Sequence, residues 1–155
     1  MPDDVDYSSR MPYMWADTLE AAERAHALRL LVWAAASILG GTSLLALLRV
    51  RGHESALLKH FAIQTVIWGT GIALLAAWLF QSLAPRDIGS ATRLDRTLWL
   101  HIGLDAGVVA VGITLVTVGW RLSQRVKLLG AGMGVTVQGC ALALLDLMLA
   151  GQISR

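Results

Sequence analysis

Four long stretches almost free of charge constrain this chain more than any other feature. Residues 30–48 and 61–85 contain no Asp, Glu, Lys or Arg, 97–120 contain only Asp105, and 128–154 contain only Asp146. The hydrocarbon core of a bilayer is about 30 Å thick, which a helix rising about 1.5 Å per residue crosses in roughly 20 residues. Every backbone N–H and C=O in that core must be bonded within its own segment or within a closed barrel. The stretches lack the apolar/polar alternation of barrel strands, so helices remain. The pattern predicts an all-α integral membrane protein, an antiparallel four-helix bundle (up-down-up-down) with an extended first helix. Spans are expected near 28–50, 57–83, 97–120 and 127–150, with the lipid bilayer as the first partner.

Composition excludes the main soluble alternatives. Of 155 residues, 55% are hydrophobic and 15% charged, and the mean hydropathy of +0.59 is well above that of an average soluble domain. A net charge of +2, with no basic patch interleaved with aromatics, argues against nucleic acid as a partner. The single cysteine, Cys140, lies in the fourth apolar stretch and has no intrachain disulfide partner. Residues 1–16 hold Asp3, Asp4 and Asp6 and lack the basic region of a secretory signal, so they read as a loosely ordered tail ahead of a single domain over 17–155.

Capping signals set the expected boundaries. Asp17 with Glu20 has capping-box spacing and predicts the start of the first helix, whose opening turns, with Glu20, Glu23, Arg24, His26 and Arg29, would project from the membrane. Ser55 predicts the N-cap of a second helix reaching about Leu83, with Pro85 as its stop. Thr92 with Asp95 predicts the start of the third helix, and Ser123 the cap of the fourth. Lys and Arg are denser in the turns after helices one and three, including Arg49, Arg51, Lys59, Arg121, Arg125 and Lys127, which favours those turns as cytoplasmic. Trp33, Trp78, Trp99 and Trp120 fall near span ends, where indoles prefer the interface.

Small and polar residues inside the spans are the candidate functional positions. Ser37 and Gly41, Gly103 and Gly107, and Gly130 and Gly134 have the small-xxx-small spacing that lets helices approach closely in lipid. Folding the chain back at its turns puts His101 level with Asp146, and places Asp105 on the same face as His101, four residues on. These three form the expected intramembrane cluster, open to two readings: a protonatable site, or structural contacts that fix register. The same register brings Gln138 level with Thr70, and Gln64 level with Gly41 and Thr42, as interhelical polar contacts.

No catalytic residue, metal site or cofactor emerges. The Gly130, Gly132, Gly134 run lacks the final glycine of a dinucleotide motif, Val135 standing in its place, and no strand precedes it. His53 and Glu54 lack a second histidine, position 57 being leucine, so the zinc-protease motif is absent. His60 and His101 fall at opposite ends, about 27 Å apart along a helix, and cannot share one haem.

The segments HFAIQTVIWG (60–69), LHIGLDAG (100–107) and GVTVQGCALALLDL (134–147) resemble the patterns of an uncharacterised family of small four-span bacterial membrane proteins. The likeness covers about residues 55 to 152 and rests mostly on Gln64, Asp105, Gln138 and Asp146. It implies a bacterial inner-membrane protein with no assigned activity. The expected function is that of a non-enzymatic accessory or scaffold subunit, with membrane-protein partners or further copies of itself. A small oligomeric proton-coupled carrier using His101, Asp105 and Asp146 is the alternative, and a membrane enzyme the third.

Overall fold

The computed structural model describes residues 7–52, 54–84, 87–122 and 125–153. They form four helices, α1 (Tyr7–Val50), α2 (Ala56–Gln81), α3 (Ile88–Arg121) and α4 (Val126–Ile153), with no strand among the described residues. Each holds a segment long and apolar enough to cross a membrane, with hydropathy between 1.7 and 1.9. At the helical rise α1 is roughly 66 Å long, about twice the thickness of a hydrocarbon core.

Three boundaries differ from the sequence expectation. The first helix starts at Tyr7, so residues 7–16 are helical and Asp17 lies within the helix rather than capping it; residues 1–6 of the expected tail lie outside the described residues. Pro12 falls in the second turn, where its ring forfeits one backbone bond without ending the helix. The second helix stops at Gln81, with the Ser82 amide bonding back to Trp78 and Leu79. The third starts at Ile88, one turn ahead of Thr92, because the Asp87 carboxylate accepts the Ser90 amide at 2.8 Å and supplies an earlier cap. Ser55 caps α2 as expected, accepting the Leu58 amide at 3.4 Å. Pro85 and Ser123 lie outside the described residues.

Close contacts fix the helix directions. Gly41 faces Ala62 and Val66 while Gly69 faces Ala34 and Ser37, so α1 and α2 run antiparallel. Gly112 faces Gly132 and Gly119 faces Leu129, so α3 and α4 are antiparallel too. Gly130 meets Leu57 and Gly134 meets Gln64, which makes α2 and α4 parallel neighbours. The up-down-up-down order therefore holds in direction. Among the described residues the backbone of α3 runs close to that of α4 alone and approaches neither α1 nor α2.

The apolar core is small and lies where α1 meets α2. Leu30, Ala34, Ile72 and Ala76 are buried there, with Leu142 and Leu145 of α4 packed against them. Threonine hydroxyls within the spans, among them Thr42, Thr65, Thr114 and Thr136, donate to the carbonyl four residues earlier in their own helix. Such back-bonding satisfies a hydroxyl without a partner helix.

Candidate functional site: a buried polar seam between α1, α3 and α4

One face of α1 builds most of the site. Leu19, Glu23, His26, Leu30, Ala34, Ser37 and Gly41 recur at spacings of three or four residues, which places them on one stripe, and all are buried. The stripe faces α2 through Leu30, Ala34, Ser37 and Gly41, and at His26 and Ser37 it also meets α4, which runs the other way. His26 Nε2 stands 3.4 Å from Asp146 Oδ1, with side chains only 8% and 10% exposed. Two turns further along α1, the Trp33 indole N–H donates to Gln138 Oε1 at 2.8 Å, and Gln138 Nε2 donates to Ser37 Oγ at 3.1 Å. Gln138 is completely buried.

From the other side, α3 contributes Asp105, itself 9% exposed. Its carboxyl group is within electrostatic range of Asp146 and of His101, and His101 is within range of His26. Three buried polar atoms here have no hydrogen-bond partner among the described residues: His26 Nδ1, Arg29 Nη1 and Asp105 Oδ2. Leaving such a group unpaired costs about 1–3 kcal/mol, and ionisable side chains at membrane depth concentrate at functional positions. The arrangement sets two carboxylates and an imidazole, with the Arg29 guanidinium beside them, where a proton can be held or passed. Among the described residues no group of three or more His, Cys, Asp or Glu is arranged to hold a metal ion.

The structure brings Asp105 and Asp146 together, while His101 is an exposed residue at the rim and His26 takes the contact with Asp146. His26 and Glu23, expected to project from the membrane, are buried because α1 continues its packing stripe below Leu30. The glutamines have partners other than those their register suggested. Gln138 bonds α1 rather than meeting Thr70, whose hydroxyl donates to Val66 of its own helix. Gln64 lies against Gly134 of α4, not against Gly41 and Thr42. Trp33, placed by its position at the interface, spends its N–H on Gln138 instead.

The small residues divide into two groups. A Cβ on Gly41 would stand 2.6 Å from Val66 Cγ2, and Ser37 Cβ stands 2.8 Å from where Gly69 would carry one. Gly130 and Gly134 admit the backbone of Leu57 and the side chain of Gln64. Gly103 and Gly107, by contrast, face open space with no atom of the chain within 4 Å. The α3–α4 contact is made by Gly112, Gly119, Gly132 and Gly139, in which a Cβ on Gly132 would meet the Gly112 carbonyl at 2.8 Å. Their signal was present as two pairs seven residues apart on successive helices, a spacing that the small-xxx-small pattern passes over.

Residues 29–147 match the model of a family of unknown function, DUF6992. The chain belongs to this family. Neither a curated protein nor a solved structure matches it. The DUF6992 segment takes in Arg29, Trp33, Ser37, Asp105, Gln138 and Asp146, so all of the seam except Glu23 and His26 lies inside it.

Proposed function

We propose that this DUF6992 protein is a multi-pass, non-enzymatic membrane protein that serves as an accessory or scaffold subunit, docked into a larger assembly through the outer face of α3. The observation that carries this reading is the position of Gly103 and Gly107. Glycine weakens a helix by about 1 kcal/mol relative to alanine, and in lipid its compensation is close helix approach. Six other glycines of α3 and α4 are used in that way inside the chain, whereas Gly103 and Gly107 look outward on a helix that, among the described residues, runs beside α4 alone. Leu100 and Leu104 beside them are exposed. The membrane we assign is a bacterial cytoplasmic membrane, on the resemblance of the three segments quoted above, with the Arg- and Lys-dense turns facing the cytoplasm.

The test is gentle solubilisation of native membranes, affinity isolation and mass measurement of intact complexes, for the natural chain and for Gly103→Leu and Gly107→Leu. A stoichiometric partner that is lost in both variants is the expected result. A monomer, or a partner retained by both variants, would overturn the reading; a homo-oligomer lost in both would make the partner a second copy of this chain.

The polar seam supports a second reading, a proton-coupled carrier, because His26, Asp105 and Asp146 are buried together with unpaired atoms. Purified protein in liposomes with a pH-sensitive dye inside would show proton flux that Asp105→Asn and Asp146→Asn abolish. Flux unchanged by both substitutions rules the seam out as the pathway.

A further inference from the structure

At the end of the bundle away from the polar seam, the turn joining α1 to α2 and the start of α4 enclose an open groove of about 760 Å³. Its floor is apolar, with Leu45 and Ala46 of α1, and its walls carry Arg49, Lys59, His60 and Lys127. One carboxylate, Glu54, also lines it, leaving the cations of three helices in surplus by two with His60 neutral. Among the described residues no ion pair joins Arg49, Lys59 or Lys127 to a carboxylate. The N-terminus of α2 opens at the same place, its leading amides and helix dipole favouring negative charge. The groove thus combines cations with apolar lining at the ends of three membrane-compatible helices.

We propose that this groove binds the phosphate of an anionic phospholipid headgroup, with Arg49, Lys59 and Lys127 as its ligands and the Leu45 and Ala46 floor against the first part of the acyl chain. A free phosphate shares the charge chemistry but has no use for the floor, and a zwitterionic headgroup brings a cation into a groove that already has a surplus. The volume is that of a small-molecule site. The proposal is independent of what docks on α3, since no residue of that helix lines the groove.

The full chain, purified in detergent and titrated with phosphatidylglycerol, phosphatidylcholine or inorganic phosphate under native mass spectrometry, tests it. Phosphatidylglycerol is expected to bind at least tenfold more tightly than phosphatidylcholine. A basic side chain near an anionic surface contributes about 1 kcal/mol, so Arg49→Gln, Lys59→Gln and Lys127→Gln should each weaken phosphatidylglycerol binding about fivefold, and together about a hundredfold. Arg93→Gln with Arg96→Gln, at the opposite end, should leave it unchanged. The substituted groove residues are surface side chains, and the thermal transition of each single variant reports whether the fold is intact. Equal affinity for the two lipids, or a triple variant that binds like the natural chain, overturns the proposal. Displacement of phosphatidylglycerol by micromolar inorganic phosphate also overturns it, by assigning the groove to a soluble anion.

Discussion

Glycines of one helix differ here by what a single methyl group would strike. At Gly112 an added Cβ meets the Thr136 side chain and backbone, and at Gly132 it meets the Gly112 carbonyl at 2.8 Å. Gly112→Leu or Gly132→Leu should therefore part α3 from α4 and lower stability by about 3 kcal/mol, the range of serious overpacking. Gly103→Ala, in open space, should be neutral or stabilising by up to about 1 kcal/mol. Thermal unfolding in detergent separates the two cases, and equal effects at Gly103 and Gly112 would refute the assignment of faces. The same contrast shows what the sequence could and could not disclose. Spacing identified Gly103 and Gly107 as a pair able to support close approach, but not which side of α3 would meet α4. Asp105 and Asp146 were legible as neighbours because two short-range facts, the tight turn and the helical rise, set their relative depth. His26 was not, because its place depends on the packing stripe of α1 continuing past the first charged residues, and charge at a span edge ordinarily means solvent.

Among the helices, α3 depends most on local chemistry, having one neighbour and a long approach. Its start is held by Asp87, an exposed residue whose carboxyl titrates below its ordinary value of 3.8 because the Ser90 side chain and then the Ser90 amide favour the ionised form. A carboxyl with a lowered native pKa contributes stability above its unfolded pKa and loses it as pH falls through the native value. Amide exchange over residues 88–91 should accordingly quicken as pH drops below about 4, once intrinsic rates are divided out. Asp87→Ala should show fast exchange at every pH; protection that survives in this variant would mean that the cap does not hold the helix end. The boundary was misread from sequence because Thr92 and Asp95 also present capping spacing, and only the path of the preceding loop chooses between the two. At α1 the box at Asp17 failed for a related reason: a cap acts only where a helix ends, and the residues before it go on with the helix through Pro12.

Across the whole molecule, three interfaces hold four helices: α1 with α2, α2 with α4, and α4 with α3, closed by the polar seam from α1 to α4. Four crossings would put residues 7 and 153 on one side of the membrane and the turns near Gly52 and Arg125 on the other. Reporter fusions after Ile153 and within the Gly52 turn should give opposite sidedness, and the same sidedness at both would exclude four crossings. The overall class was readable because segregation of charge along the chain is a one-dimensional property; the neighbour relations were not, because they depend on which helix faces meet in three dimensions. That placement has a consequence during synthesis. Among the described residues the helix whose backbone α3 runs beside is made after it, and the 28 residues of α4 need roughly 1–6 s at typical elongation rates. For that interval the glycine seam of α3, which α4 covers in the folded chain, stays uncovered.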